Sequence, residues 1–379
     1  MTKLRKVLSI MMVSIMTFTL IAVSTVNTAA ASDSKEVTIT KTLSIADGIT
    51  TPSASFTFAF AADTAFDAAT PAIANKSVNF TSADVKAANT NAIEKETTNI
   101  FAGVTYPHAG EFFYTISETA GTTAIENGEM AYDTSKYRMQ VIVAEDTDGT
   151  LYISAVNVAT LDDQNNVDQK VGSQPSDDIT GGETFKLFTN TFTKNGGAGV
   201  DPGEELDSAL TITHKVAGTA ADKSKYFTYN VTLTQSPTAR AALSYTGKVG
   251  STPYTFTTGQ ATTVTLKHGE TIDFEVLPAG TKVSVVATGV DTYTPSYEYI
   301  SNGGAKVTQA GSKATTLTAS DILVGEYENT IVFTHTRNTE DIPPMGIDIN
   351  NLPFILFILV SMGGFAFYIV NKRRTRTQG

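Results

Sequence analysis

No cysteine occurs among the 379 residues. Disulfides, Cys-ligated metals, thioesters and thiol catalysis are therefore excluded, and any covalent staple must be made from other side chains. Long helical periodicity is weak. Histidine is confined to four positions, His108, His214, His268 and His335. The chain has no Ser/His/Asp spacing, no Gly-rich phosphate loop and no carboxylate-rich metal cluster, which argues against an enzyme acting on external substrates. Positive charge is scarce in the body of the chain. Three of the 27 basic residues lie in the first 31 and four beyond 371, whereas Asp348 is the one acidic residue of 38 outside 32–345. That segment thus carries 37 acidic against 20 basic side chains. Such a surface repels nucleic acid and favours solubility. No cofactor is expected.

The two ends carry signals. Lys3, Arg5 and Lys6 precede an apolar stretch, Val7 to Val23, then Ala29-Ala30-Ala31 and the first acidic residue, Asp33. Basic, apolar, then small is the order of a secretory signal peptide, expected over 1–31. At the other end, Leu352 to Val370 is an uncharged apolar run of 19 residues. At about 1.5 Å per residue it spans a hydrocarbon layer of roughly 30 Å. Lys372, Arg373, Arg374 and Arg376 follow it, so the tail, 371–379, belongs inside and the residues before 352 outside.

Between the body and that run, in the segment 339–351, stands Ile342-Pro343-Pro344-Met345-Gly346. It resembles the LPxTG signal read by sortase, a transpeptidase that cuts before the Gly and passes the new carboxyl end to an amine. The order of motif, apolar span and basic tail matches that family. Ile342 stands for the Leu, and Met345 for the Thr at the cut. The resemblance implies a Gram-positive cell-surface protein that crosses the membrane as a precursor and is then joined to the cell wall. A permanent transmembrane tail is the alternative.

The middle alternates Thr, Val and aromatic residues with period two, broken by turn clusters, which predicts an all-β chain of sandwich domains. The Gly-rich stretch 195–203 reads as a linker between segments 32–194 and 204–338, each long enough for one core. The halves look like diverged repeats. Each opens with an alternating strand (Val37 to Ile45; Leu210 to Val216), continues with an aromatic one (Phe56, Phe58, Phe60; Phe227, Tyr229, Val231) and closes with a strand apolar on one face (Phe188 to Phe192; Ile331 to His335).

Alternation exposes an anomaly. Val37, Ile39, Leu43 and Ile45 share a face, and Lys41 lies on it. Phe112, Tyr114 and Ile116 share a face with Glu118. Asn190 sits between Phe188 and Phe192. A strand end or a wet edge explains any one of these, but buried charges need partners, and three such residues in one domain suggest that they are partners. Burial favours a neutral, nucleophilic lysine and a neutral carboxyl group. Glu118 would then polarise the Asn190 amide and shuttle protons, and Lys41 would attack the amide carbon and expel ammonia. An intramolecular isopeptide bond between the first and last strands results.

VTITKTLS, FYTISE, YDTSKYRMQVIV and FTNTF, in this order, resemble the isopeptide-linkage domains of streptococcal backbone pilins, which are immunoglobulin-like sandwiches related to collagen-adhesin B-type domains. The resemblance implies two tandem immunoglobulin-like β-sandwiches. It assigns the bond-forming lysine to Lys41, the catalytic glutamate to Glu118 and the acceptor asparagine to Asn190. In the second domain the matched positions hold His214, Ala287 and His335, so no bond can form there. Both histidines share a face with apolar neighbours and are expected to pack as a neutral pair. Two imidazoles do not make a structural metal site, and none is expected.

The implied role is structural: a pilus subunit or pilin-like stalk, whose partners are sortase and either peptidoglycan or other pilin subunits, with self-modification its one chemical step. In such pilins the lysine joined to the next subunit lies shortly before the first domain's closing strand. The matched position here is Glu183, with Lys186 and Lys170 nearest, and Tyr106-Pro107-His108-Ala109 departs from the other pilin motif, YPKN. An anchored adhesin with a host-surface ligand is the alternative.

Overall fold

The computed structural model describes residues 36–119, 127–174, 183–201, 203–239, 244–341 and 352–375. The expected signal peptide and Ile342 to Gly346 lie outside them.

The strands form two sandwiches. In the first, β1 (Val37–Ile45), β4 (Ala92–Glu96), β6 (Glu129–Ala131) and β10 (Glu183–Thr193) make a sheet in the order β4-β1-β10-β6. The second sheet holds β2 (Ala54–Ala62), β3 (Lys76–Phe80), β5 (Gly110–Thr119), β7 (Lys136–Glu145), β8 (Leu151–Leu161) and β9 (Val167–Gln174), in the order β3-β2-β5-β7-β8-β9. One core joins their inner faces, with Ile39, Leu43, Phe56, Phe58, Phe112, Tyr114, Phe188 and Phe192 almost fully buried. The β-branched and aromatic residues at alternate positions suit a pleated, half-buried surface, and their burial drives the two sheets together.

Strands β1 and β10 pair in parallel, so the first and last strands of the unit lie side by side. The register pairs Thr40 with Lys186 and Lys41 with Phe188, which leaves Leu187 as an extra residue, a β-bulge. Before the bulge Phe185 and Leu187 face the core. After it the inward set is Phe188, Asn190 and Phe192. The Tyr137 hydroxyl donates to the Leu187 carbonyl at the bulge.

The second sandwich repeats the plan. One sheet holds β11 (Leu210–Ala217), β13 (Ser244–Val249), β14 (Thr252–Thr257), β16 (Thr271–Phe274), β18 (Thr294–Ile300), β19 (Val307–Ala310) and β21 (Thr330–Thr336), in the order β14-β13-β16-β11-β21-β18-β19. The other holds β12 (Phe227–Thr234), β15 (Ala261–Leu266), β17 (Lys282–Ala287) and β20 (Leu317–Leu323), in the order β15-β12-β17-β20. Again the first and last strands, β11 and β21, pair in parallel.

The stretch read as a linker is bound down. Gly196 donates to the Leu277 carbonyl and Gly197 to that of Gly325, and both glycines are buried. A Cβ on Gly196 would meet Val324 Cγ1 at 2.6 Å, so glycine serves close approach here. Beside it, the Lys194 ammonium meets the Glu326 carboxylate at 3.0 Å, with 4% and 1% of the two side chains exposed. The other Glu326 oxygen accepts from the Thr50 N–H at 2.9 Å and from the Thr50 hydroxyl, and the Glu326 N–H donates to the Gly48 carbonyl. One buried carboxylate thus ties the first sandwich, the junction and the second sandwich together. A buried pair satisfied this fully fixes orientation more than it adds stability.

Helix α1 (Leu352–Thr375) contains a span, Ile355–Arg373, of 19 residues with mean hydropathy 1.7. By length and composition it is able to cross a membrane.

Candidate functional site

Alternation along β1 delivers Lys41 to the core, where none of its surface is exposed. β5 delivers Glu118 from the opposite sheet, and β10 delivers Asn190, also fully buried. The three side chains meet. Lys41 Nζ lies 2.6 Å from Glu118 Oε2, and Asn190 Nδ2 donates to Glu118 Oε1 at 2.5 Å. In the ladder Lys41 stands opposite Phe188 and Asn190 opposite Leu43, so Lys41 and Asn190 are diagonal neighbours on adjacent strands.

The surroundings are aromatic. Lys41 Nζ sits 4.8 Å from the Phe56 ring centroid. Phe58 stacks on Phe188 at 5.1 Å, and Tyr137 packs edge-on to Phe188 at 5.0 Å. Burial in this pocket pushes the Lys41 ammonium below the usual lysine range, against the opposing pull of Glu118 and, more weakly, Asp133. A proton given up by Lys41 passes to Glu118 along a direct hydrogen bond, 2.6 Å between the heavy atoms.

A backbone neighbour sets the orientation of the Asn190 amide. Asn190 Oδ1 accepts from the backbone N–H of Asp133 at 2.7 Å. A backbone N–H can only donate, so the atom facing it is oxygen, and the amide nitrogen faces Glu118. Glu118 therefore bridges the Lys41 amine and the Asn190 amide nitrogen, and its hydrogen bond to Asn190 is not to the carbonyl oxygen. One carboxyl group is thus within proton-exchange distance of both nitrogens.

The second sandwich holds its counterparts in the same register. His214 pairs with Phe333, and Val216 with His335, as Lys41 pairs with Phe188 and Leu43 with Asn190. Ala287 on β17 pairs with Tyr229 on β12, as Glu118 on β5 pairs with Phe58 on β2. Tyr229, which sequence reasoning left without a role, supplies the hydroxyl group here. Its Oη lies 2.6 Å from His214 Nδ1 and 3.5 Å from His335 Nδ1. Its only sequence signal is a hydroxyl group on an apolar face where the first unit has Phe58.

The two imidazoles are buried, with centroids 5.3 Å apart, and both pack on Phe227. Neither Nε2 has a protein partner among the described residues. Burial, with the neighbouring His335 and then His268, lowers His214 to about 3, and burial lowers His335 to about 4. Lys215 points outward. His268 takes no part in the Tyr229 hydrogen bonds: its Nδ1 accepts from the Val216 N–H at 2.9 Å and finishes the edge of β11. His108 is half exposed beside Asp67. Among the described residues no group of three or more His, Asp and Glu is placed to hold a metal.

Residues 37–193 match the family described as the Spy0128-like isopeptide containing domain, and 208–323 match a domain family of unknown function, DUF7601. The chain is 26% identical over 371 residues to a protein named Pilin from Streptococcus pyogenes serotype M1, covering 93% of this chain and 95% of that one. It is 32% identical over 138 residues to the pilus tip adhesin Cpa of Streptococcus pyogenes, which is 36% of this chain but 18% of the adhesin. Among solved structures, the major pilin from Streptococcus pyogenes is similar at 23% identity and a TM-score of 0.33, covering 81% of this chain and 99% of that one.

Proposed function

We propose that this streptococcal pilin-like chain is a structural subunit of the cell surface, a pilus subunit or pilin-like stalk. Its first sandwich closes on itself through a Lys41–Asn190 isopeptide bond, and its C-terminus is handed to the wall by a sortase. The supporting observation is the buried meeting of Lys41, Glu118 and Asn190 across the first and last strands of one sandwich. Tension along a chain enters and leaves a domain through its terminal strands, and a covalent bond between them carries the load past the fold. The neutral reaction balances: Lys41 Nζ bonds to Asn190 Cγ, the Cγ–Nδ2 bond breaks, and one hydrogen passes from Nζ through Glu118 to the departing ammonia. The event is single-turnover self-modification.

Anchoring rests on the order of Ile342 to Gly346, the apolar helix and the basic tail. The precursor crosses the membrane, and sortase cuts between Met345 and Gly346 and transfers the carboxyl end to a wall amine or another subunit. Fractionation of cells tests this. The mature protein is expected in the wall fraction, released by a peptidoglycan hydrolase and lacking residues 346–379. Met345→Thr is expected to raise the wall-linked share. Protein retaining Phe354 to Val370 and extracted by detergent rejects it. A ladder on immunoblots marks polymerisation, for which Lys186 and Lys170, both exposed, are the nearest acceptor lysines. The match to a pilus tip adhesin favours a second reading, an anchored adhesin. Binding of the purified protein to a host matrix protein or glycan promotes it.

A further inference from the structure

The bond-forming reaction builds negative charge on Asn190 Oδ1 as the amide carbon turns tetrahedral, and Glu118 faces the opposite end of that amide. We propose that the backbone N–H of Asp133 is the oxyanion donor of this reaction, and that the Asp133 side chain is the positioning group that aims it. The inference rests on the isopeptide reading above and names a catalytic group outside the Lys, Glu and Asn.

The geometry is specific. The Asp133 N–H donates to Asn190 Oδ1 at 2.7 Å, so the donor already contacts the oxygen on which the charge would develop. Asp133 lies between β6 and β7, just past the point where β6 stops pairing with β10. The last rungs are Thr193 with Glu129, Phe192 with Met130 and Thr191 with Ala131. Beyond them the chain leaves the ladder. The Asp133 carboxylate takes over the edge: Oδ2 accepts from the Thr189 N–H at 2.8 Å, and Oδ1 accepts from the Ser135 N–H at 2.9 Å. These two bonds pin the turn against β10 on the residue next to Asn190. The N–H is thereby turned from the sheet onto a side-chain carbonyl.

The second sandwich provides an internal comparison. There the strand on the same side of the closing strand, β18, pairs without a break along all of β21, from Thr294 with Thr336 to Ile300 with Thr330. Pro295, which has no N–H, stands opposite His335. Where no amide is to be activated, the edge is an ordinary ladder. Where Asn190 stands, the ladder is interrupted and a backbone donor is delivered to it.

Replacing the residue-133 amide with an ester removes the donor and keeps the aspartate side chain. The full chain is made by cell-free translation with the α-hydroxy analogue of aspartate at 133, and intact mass is followed against time from the end of synthesis. Loss of ammonia is expected to slow on the order of 100-fold relative to the unmodified chain, the usual effect of removing one oxyanion donor. The matched control places the ester at 135, which removes the Ser135 N–H bond to the same carboxylate but leaves the donor at 133. It is expected to slow the reaction only a few-fold. Equal rates for the 133 ester and the unmodified chain overturn the assignment, as does equal slowing by both esters, which reduces the turn to a structural role. If the unmodified chain never loses ammonia, the isopeptide reading itself fails and the donor assignment falls with it. The first two outcomes leave that reading intact.

Discussion

Glu118→Ala is expected to leave the first sandwich without its cross-link and to lower its melting temperature on the order of 10–20 °C. The proposed bond would close a loop of about 150 residues, worth roughly 5 kcal/mol in the chain-entropy argument developed for disulfides. Among the described residues Glu118 alone hydrogen-bonds both Lys41 Nζ and Asn190 Nδ2, and its loss removes the group that would move the proton. The variant also strands Lys41 in an aromatic pocket, which adds to the loss. Asn190→Ala, which removes the electrophile, is expected to behave alike. Differential scanning calorimetry of residues 32–341 together with limited proteolysis reads both variants. Melting of either variant at the wild-type temperature, with unchanged protease resistance, counts against a native cross-link.

The second sandwich is expected to soften in mild acid. His214 and His335 titrate at about 3 and about 4 when folded, below the usual histidine value of roughly 6.5 in the unfolded chain. The unfolded state therefore binds more protons between those values. Stability is whole above about pH 6.5 and falls as pH drops toward the folded values. At about pH 5 the loss is about 2 kcal/mol for each imidazole, or about 4 kcal/mol for the pair. Tyr229, Tyr293 and His268 are the other titratable groups beside the pair, and no carboxylate is among them to offset the charge. Melts of residues 32–341 from about pH 7.5 to about pH 5 are expected to show one transition sliding down with pH. The double variant His214→Phe, His335→Leu is expected to abolish the slide. An identical pH profile in the wild type and the double variant contradicts this linkage.

Much of this arrangement is legible in the sequence because strands alternate strictly. Period two alone places Lys41, Glu118 and His214 on the inner faces, and the structure buries each of them. The closing strand is legible only from Phe188 onward. The bulge at Leu187 resets the alternation, and nothing in ETFKL announces it. The Asp133 donor is invisible for a different reason: a backbone N–H has no side-chain signature, and its aim depends on where β6 leaves the ladder. The junction misleads through composition. Glycine marks flexible connections, but it also marks close approach, and Gly196 and Gly197 serve the second purpose. The Lys194–Glu326 pair spans 132 positions and leaves no local pattern to read.

The bond between Lys41 and Asn190 is tested most directly by the intact mass of residues 32–341 purified without any added enzyme. The predicted result is a mass below that of the sequence by one ammonia, about 17 Da, with a branched peptide joining Lys41 to Asn190 after digestion. A mass equal to that of the unmodified sequence, with separate Lys41 and Asn190 peptides, would contradict it.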